Sequence, residues 1–554
     1  MTCCTPARAS LMTGRYTVRY GMQYNVAIGS AQAWGVPLSE KILPEYMKHA
    51  GYETHLVGKW HLGSQGVDNL PTQRGFDTFM GFLGGYEQYW THETLDVHLD
   101  GTPFLDFGFG NASGYYDIID RPTYEYEDTH MDEETEMEEE GIDGNDWGAW
   151  YNDAQDFTIP ATTLGDPPSV SSSKSDFKNL YSTSMLQDRA IEILETKTPF
   201  DEEPLFMYLA HQATHLPLGA PPAGSFSKED TLLLDEIEEK TSGVGSPYTR
   251  RRFAEVLMFL DKSIGHLMDY LEREGWLENS IVAVTSDNGA RPSEGGSNYP
   301  LRGRKHTYWE GGVKMPAFVY SRSHIPEGLW GTEYNGLMHV TDWLPTIADA
   351  AGATISGRQD LAAGPLDGIS QRDYIVGSAV TENGGSPRTE MLFNYDPYYL
   401  APDISSVVDT GTQYAQGAFR SGQYKMLFNV SCQAWYTFDS DVLDEDPWTD
   451  LSTSCGGTCR SGGWCSEDVH SDYLIDLDAD PRETNNLINE LPDVAQELRD
   501  RWHNITFQEY TTTVYEPTDK DALYIWADNN WWMTPWLSLE QPKIPLSKRG
   551  EKPL

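Results

Sequence analysis

The chain is short of positive charge. Its 554 residues carry 39 Lys and Arg against 85 Asp and Glu, a formal net charge of −46. A surface of that sign repels nucleic acid and anionic lipid, so neither is expected as a partner. The sequence also has no apolar run of about 18 residues, so it encodes no membrane-spanning helix. Cysteine is scarce: Cys3, Cys4, Cys432, Cys455, Cys459 and Cys465 are the full set. No histidine stands at finger spacing from the last three, which argues against a zinc knuckle there. No apolar leader opens the chain.

What is present describes a globular protein. Hydrophobic residues make up 39% and aromatics 12%, enough to bury a large core and too much for a disordered chain. The length accommodates two domains. The four late cysteines lie in a Gly/Ser-rich stretch and suit disulfides of an oxidising compartment. Three glycosylation triplets point the same way: Asn111-Ala112-Ser113, Asn429-Val430-Ser431 and Asn504-Ile505-Thr506. The expectation is a glycoprotein of the secretory pathway, extracellular or in a lysosome- or vacuole-like compartment. Met1 stands only three residues before Cys4. The sequence is therefore expected to continue upstream, starting with a signal peptide.

An α/β rhythm runs through the first 385 residues. Ser39 is placed to cap a helix reaching about Ala50, closed by Gly51. Tyr52–Val57 reads as a strand and ends in Gly58-Lys59-Trp60-His61-Leu62-Gly63. Tyr181 to about Lys197 has helical periodicity, with Met185, Leu186, Ala190, Ile193 and Leu194 inward. Pro204–Ala210 reads as a buried strand leading into His211-Gln212-Ala213-Thr214-His215. Thr249–Glu274 is a long amphipathic helix whose stripe, Phe253, Val256, Leu257, Leu260, Ile264, Leu267 and Leu271, is expected to be core. Ser280–Thr285 is a second buried strand, delivering Asp287-Asn288-Gly289. Polar residues at the carboxyl ends of strands are where α/β proteins keep their chemistry. Leu301-Arg302-Gly303-Arg304-Lys305 adds concentrated positive charge. Residues 122–157 form an acidic insertion, with no Lys or Arg between Glu125 and Glu140. Asp143–Gly148 is a poor calcium loop because Trp147 occupies a ligand position. The expected organisation is a catalytic domain over 1–385, a smaller α+β domain over 386–520, and a Trp-rich extension over 521–554 that covers apolar surface.

The opening residues carry the sharpest signal. In Cys4-Thr5-Pro6-Ala7-Arg8, Pro6 forces a turn. The residues that follow form a short helix ending at Gly14. A thiol at a helix N-terminus with Arg8 one turn on would be acidified. A lone buried cysteine is more often structural, but here the run resembles the sulfatase signature C-x-P-x-R followed by a Thr-Gly pair, Thr13-Gly14. Cys3 is out of register with it. Gly58–Gly63 is similar to the second signature of that family, and Ser286–Gly289, Pro300–Lys305 and Trp309–Val313 resemble its later motifs in order. Asp478–Leu487 extends the likeness into the small domain, and the arylsulfatase B group is the most similar.

The resemblance implies an alkaline-phosphatase-like fold: a large, mostly parallel sheet flanked by helices, plus a C-terminal domain with an antiparallel sheet. It implies a sulfuric ester hydrolase whose nucleophile is formylglycine, made from Cys4 by a formylglycine-generating enzyme. The hydrated aldehyde attacks sulfur, Asp287 takes the proton, and Arg8 holds the hydrate. Lys59, Lys305 and His215 meet the sulfate and its leaving oxygen, and His61 is the base that regenerates the aldehyde. His215 is favoured over His211 by the alignment. Asp287, Asn288 and the modified Cys4 would contact Ca2+ or Mg2+. The family completes that metal site with two aspartates on a central first strand ahead of the signature, which would lie upstream of Met1. The implied substrate is a sulfated small molecule or glycan, most simply a sulfated sugar. Alternatives are a phosphodiester or phosphonate hydrolase of the same superfamily, and a non-catalytic secreted homologue.

Overall fold

The computed structural model describes residues 2–23, 28–99, 102–111, 114–116, 180–241, 247–353, 355, 364–377, 385–396, 415–437, 459–460, 464–465, 470–508, 518–528, 533 and 535–537. The acidic insertion expected at 122–157, and the loop Asp143–Gly148 inside it, lie outside the described residues. One compact unit comprises Met1–Asp117 and Lys178–Leu554.

Helix α1, Cys4–Thr13, starts from extended Cys3 and holds Pro6 in its first turn, where the missing N–H costs nothing. Gly14, at φ 65°, closes it by donating its N–H to the Ser10 carbonyl. Helix α2 is Leu43–His49 and does not start at Ser39. Pro44 fits only the first turn of a helix, and the Glu45 carboxylate accepts the Ile42 N–H at 2.6 Å, so the start moves to Leu43.

Strands β1 (Glu53–Gly58) and β2 (Thr78–Gly81) pair in parallel, Val57 opposite Met80. The hairpin β3 (Glu93–Leu99) and β4 (Thr102–Leu105) stands apart, while β5 (Gly108–Asn111) and β6 (Gly114–Tyr116) continue the sheet antiparallel from β2. Helix α3 (Ser182–Glu195) buries the five expected side chains and leads to β7 (Leu205–Ala210), which pairs parallel with β1. The sheet order is β6-β5-β2-β1-β7, with three parallel strands ending at the site. Helices α4 (Lys228–Lys240) and α5 (Pro247–Arg273) follow, then β8 (Val282–Thr285), the short helix α6 (Glu310–Val313) and β9 (Ala317–Tyr320).

Two strands expected to be buried are not. Among the described residues β7 has a partner on one side only, and it is half-buried along most of its length. Among the described residues β8 pairs with β9 alone, and it alternates between half-buried and exposed. On α5, Val256 and Leu271 are buried, but Leu257 is 48% exposed, so the stripe is not wholly core.

After helix α7 (Trp343–Ala350), β10 (Glu390–Asp396), β11 (Gln416–Ser421) and β12 (Tyr424–Ser431) build an antiparallel sheet. Past the two-residue pair β13 (Cys459–Arg460) and β14 (Trp464–Cys465), β15 (His470–Asp476) completes it in the order β10-β11-β12-β15. Its side chains alternate with period two. One face carries Leu392, Phe419, Met426 and Phe428 against Tyr16, Val18 and Trp502 of the helix Pro492–Gln508. The other carries Met391, Phe393, Ala418 and Leu427 against Tyr308 and Trp309. The small sheet is thus glued to the first region through both faces. Near the C-terminus, Ala522 and Trp526 pack on Ala31 and Phe104.

Two glycines let the parallel strands reach the site side by side. A Cβ at Gly81, where φ is 153°, would lie 2.0 Å from the Gly58 carbonyl oxygen, and one at Gly58 would lie 2.1 Å from that of Ala210. We expect Gly81→Ala to lower the unfolding free energy by about 3 kcal/mol or more, from overpacking against backbone. Gly51→Ala, with φ 85° and open space around its Cβ, should cost only about 1–2 kcal/mol of backbone strain. Denaturant titration measures both, and equal losses would contradict the packing argument.

Candidate active site

The carboxyl ends of β1, β7 and β8 and the start of α1 converge on the sulfur of Cys4. Lys305 Nζ donates to Cys4 Sγ at 3.3 Å and to His215 Nε2 at 3.2 Å. Those residues are 301 and 90 positions away from Lys305 in sequence, so the fold alone brings them together. Cys4 Sγ also lies 3.4 Å from Asn288 Oδ1. Because Asn288 Nδ2 donates to the Gly289 carbonyl, its oxygen is the atom turned toward the thiol. Arg8 places Nε and Nη2 each 3.2 Å from Asp287 Oδ2, and its Nη1 donates to Tyr208 Oη at 3.2 Å. Lys59, His61, Cys4 and Lys305 are all buried, as is Arg8. The structure therefore brings together every residue expected from the sequence: Cys4, Arg8, Lys59, His61, His215, Asp287, Asn288 and Lys305.

The two histidines have defined tautomers. A carbonyl only accepts, so His61 Nε2, 2.8 Å from Ile28 O, carries a hydrogen. Its Nδ1 is left as a lone pair, buried and without a hydrogen-bond partner. His215 Nδ1 donates to Leu216 O at 2.8 Å, which leaves Nε2 to accept from Lys305. His211 carries a buried, unpartnered Nδ1 and burial pulls it down to about 4, but it makes no such contact with Lys305. Of the two, His215 is the one in contact with Lys305.

Electrostatics follow from burying like charges together. Burial, then the neighbouring Lys59 charge, pull His61 down to about 4, against the raising effect of Cys4. Burial also lowers Lys59, partly offset by Cys4. Cys3 and Cys4 split their protons: a hydrogen bond from Cys3 lowers Cys4 against its burial, helped by Lys305 and Lys59, and Cys3 moves well up in return. Burial alone would lower Lys305, but the adjacent Cys4 and Cys3 raise it above its ordinary value.

Asp287 and Asn288 offer hard oxygens of the kind calcium and magnesium choose. One Asp287 oxygen is held by Arg8, and Asn288 Oδ1 faces Cys4. The pair suits a hard cation in kind, but two donors are fewer than the six or more oxygens such a cation takes. Among the described residues no group of three or more His, Cys, Asp and Glu is placed to hold a metal.

The positive charge of the Leu301–Lys305 loop is not all at the surface. Arg302 is not a surface charge available to an anionic substrate. It is buried, its guanidinium 3.7 Å from the Trp309 ring centroid and 4.5 Å from that of Trp435, and it donates to the Gln433 and Glu483 carbonyls. Burial lowers it to about 10. Its Nη2 lies 3.0 Å from the sulfur of Cys432, which is disulfide-bonded.

The sequence did not single out the residues that hold His215. The Tyr86 ring stacks on it at 5.2 Å and 18°, and Tyr89 Oη donates to its carbonyl at 3.0 Å. Both follow Gly84-Gly85, and a Cβ at Gly85 would meet the His61 ring at 3.0 Å. That glycine pair, beside two tyrosines, was the available signal. Tyr208 was hidden as one aromatic among the apolar residues of β7.

Comparison with known proteins shows the family. The sulfatase family model matches residues 1–353. Arylsulfatase J of Mus musculus is 32% identical over 505 residues, covering 89% of this chain and 67% of that protein. N-acetylgalactosamine-6-sulfatase of Mus musculus is 28% identical over 361 residues, covering 63% of this chain and 53% of that protein. The crystal structure of Ps i-CgsB in complex with k-i-k-neocarrahexaose superposes with a TM-score of 0.60 at 18% identity, covering 95% of this chain and 86% of that one. The parallel sheet joined to a C-terminal antiparallel sheet is the alkaline-phosphatase-like fold of these neighbours. The chain belongs to the sulfatase family.

Proposed function

We propose that this sulfatase hydrolyses the sulfate ester of a sulfated sugar, using Cys4 after its conversion to formylglycine, with a divalent cation bound partly by Asp287 and Asn288. The observation that carries this reading is the pair of contacts from Lys305 Nζ to Cys4 Sγ and His215 Nε2. One ammonium touches both the residue that would attack and the residue that would meet the leaving oxygen. The sugar is supported by likeness to a sulfatase named for N-acetylgalactosamine and to a structure holding a neocarrahexaose. The disulfide at Cys432 and the exposed Asn504 of the third glycosylation triplet support a secretory-pathway location. No helix among the described residues is long and apolar enough to cross a membrane.

When present, the modified residue supplies a nucleophilic oxygen and the cation supplies positive charge to the sulfate. The chain's own residues do the rest. Lys59 and Lys305 are buried cations facing Cys4, and they bind the anionic ester in a site where water cannot screen them. Lys305 donates toward the bridging oxygen as its charge grows. His61 Nδ1, free of a hydrogen and buried, accepts a proton. Arg8 orients the Asp287 carboxylate through two donors.

In the full-length protein matured with the modifying enzyme, Cys4→Ala should abolish aryl sulfate hydrolysis and leave the unfolding transition in place. Mass spectrometry of the peptide around Cys4 should show the thiol replaced by an aldehyde. An intact thiol in an active preparation would refute the mechanism. Lys305→Ala should lower kcat by roughly 10²–10³-fold, the scale of losing one oxyanion donor, with little salt dependence. Lys314→Ala, which removes an exposed cation, should change kcat little. Equal, salt-sensitive losses in both would make Lys305 part of a generic charged patch.

The depressed His61 pKa also makes a stability prediction. Between about 4 and 6.5 the unfolded chain binds a proton that the folded chain refuses. His61's contribution is thus complete above pH 6.5 and is lost as pH falls toward 4, by about 3 kcal/mol. Unfolding free energies at pH 7.5 and 4.5 should therefore differ less in His61→Gln than in the parent, and an unchanged difference would contradict the depressed value.

A further inference from the structure

Outside the reacting centre, one network of buried charges lies behind the Lys305 loop. Lys425, in the middle of β12, is fully buried. Its Nζ donates to Glu310 Oε1 at 2.7 Å and to Glu483 Oε1 at 3.0 Å. Glu483 then grips the loop on both sides of Lys305. Its Oε2 accepts the Glu310 backbone N–H at 2.7 Å, and its carbonyl accepts Arg302 Nη1 at 2.9 Å. Arg302 lies three residues before Lys305, and Glu310 five residues after. At the loop, Gly311 N–H closes onto the Arg302 carbonyl at 2.7 Å, Trp309 Nε1 reaches the Ser431 carbonyl at the end of β12, and Gly303 N–H reaches the Ala434 carbonyl just beyond it. The network sets two acids against two bases, and burial pushes Glu483 up to about 7 against the pull of Lys425.

Stability alone does not account for it. Desolvating four charged groups costs several kcal/mol each, and well-packed apolar residues of the same volume generally serve a core as well or better. What an ionic network supplies that an apolar cluster does not is direction: each donor has a fixed acceptor, so the loop has one register.

We propose that Lys425 and Glu483 are positioning residues for catalysis. Through Glu310 and Arg302 they hold the 302–310 loop so that Lys305 Nζ stays within hydrogen-bond distance of both Cys4 and His215. The small C-terminal sheet is then a working part of the active site. This rests on the reading of Lys305 as the group that meets the leaving oxygen. Because a displacement on the order of 1 Å at a reacting centre costs as much as about 100-fold in rate, a loosened loop should act on kcat far more than on KM.

The test is a double-mutant cycle on the matured full-length protein, measuring kcat and KM on a sulfate ester together with thermal unfolding. Lys425→Met should lower kcat at least about tenfold in the parent, with KM changed little, and less than about twofold when Lys305 is already Ala. A residue that merely supports the fold would cost the same factor in both backgrounds, and that result would overturn the proposal. Glu483→Gln, which keeps the volume and removes one charge, runs the same cycle if Lys425→Met does not fold, and the same two outcomes decide it. If Lys305→Ala keeps its kcat, the assignment of Lys305 falls and the proposal with it. If Lys305→Ala loses kcat while the cycle is additive, only the positioning role falls.

Discussion

Three cations buried around one sulfur are the constraint on which the rest of this structure depends. Arg8, Lys59 and Lys305 come from a helix, a strand end and a loop, and all three lie out of solvent beside Cys4. In a low-dielectric interior such charges repel one another strongly. The protein answers with an acid on Arg8, a thiol whose proton is easily lost, and a histidine that stays unprotonated. What remains is a site short of negative charge, which a sulfate group would complete. Selectivity for an anion thus follows from the folded state before any particular substrate is considered.

Holding like charges together requires stiff supports, and the fold supplies them from several directions. Close contacts at Gly58 and Gly81 let β1, β2 and β7 end level with one another. Tyr86 and Tyr89 fix His215 from the loop after β2. The Lys305 loop is fixed from behind, where Arg302 is clamped between aromatic rings next to the Cys432 disulfide. The supports behind His215 and Lys305 act across long stretches of chain and come from both sheet regions.

That distance also explains what the sequence could reveal. Elements set by local rules were legible: α1 from Pro6 and Gly14, β1 and α3 from periodicity, and the reactive residues from their place at strand ends. The helix expected from Ser39 began instead at Leu43, because Pro44 and the Glu45 cap outweighed a good capping residue. The half-exposure of β7 and β8 was illegible because an apolar run does not state how many partners a strand will find. Arg302 looked like its neighbour Lys305, one more cation in a basic loop. Its burial depends on Trp435 and Glu483, more than 130 residues further along, which no local pattern couples to it. That these residues would be candidates was legible through resemblance to a family; the residues that hold them in place were not.

The overall charge of −46 and a site built from buried cations appear to oppose each other for an anionic substrate. Distance separates the two effects. At physiological ionic strength the screening length is about 8 Å, so acidic residues elsewhere on the surface are largely invisible from inside the site. The buried cations act over 3–4 Å with little water between, where the same unit charge is worth several times more. The acidic surface therefore governs how often a sulfated molecule arrives and disfavours long polyanions, which carry charge outside the site as well as in it. Under the proposed function, a short sulfated sugar, with its one ester group engaged by the buried cations, would avoid that penalty. The same charge distribution that repels nucleic acid would then favour small sulfate esters over long ones.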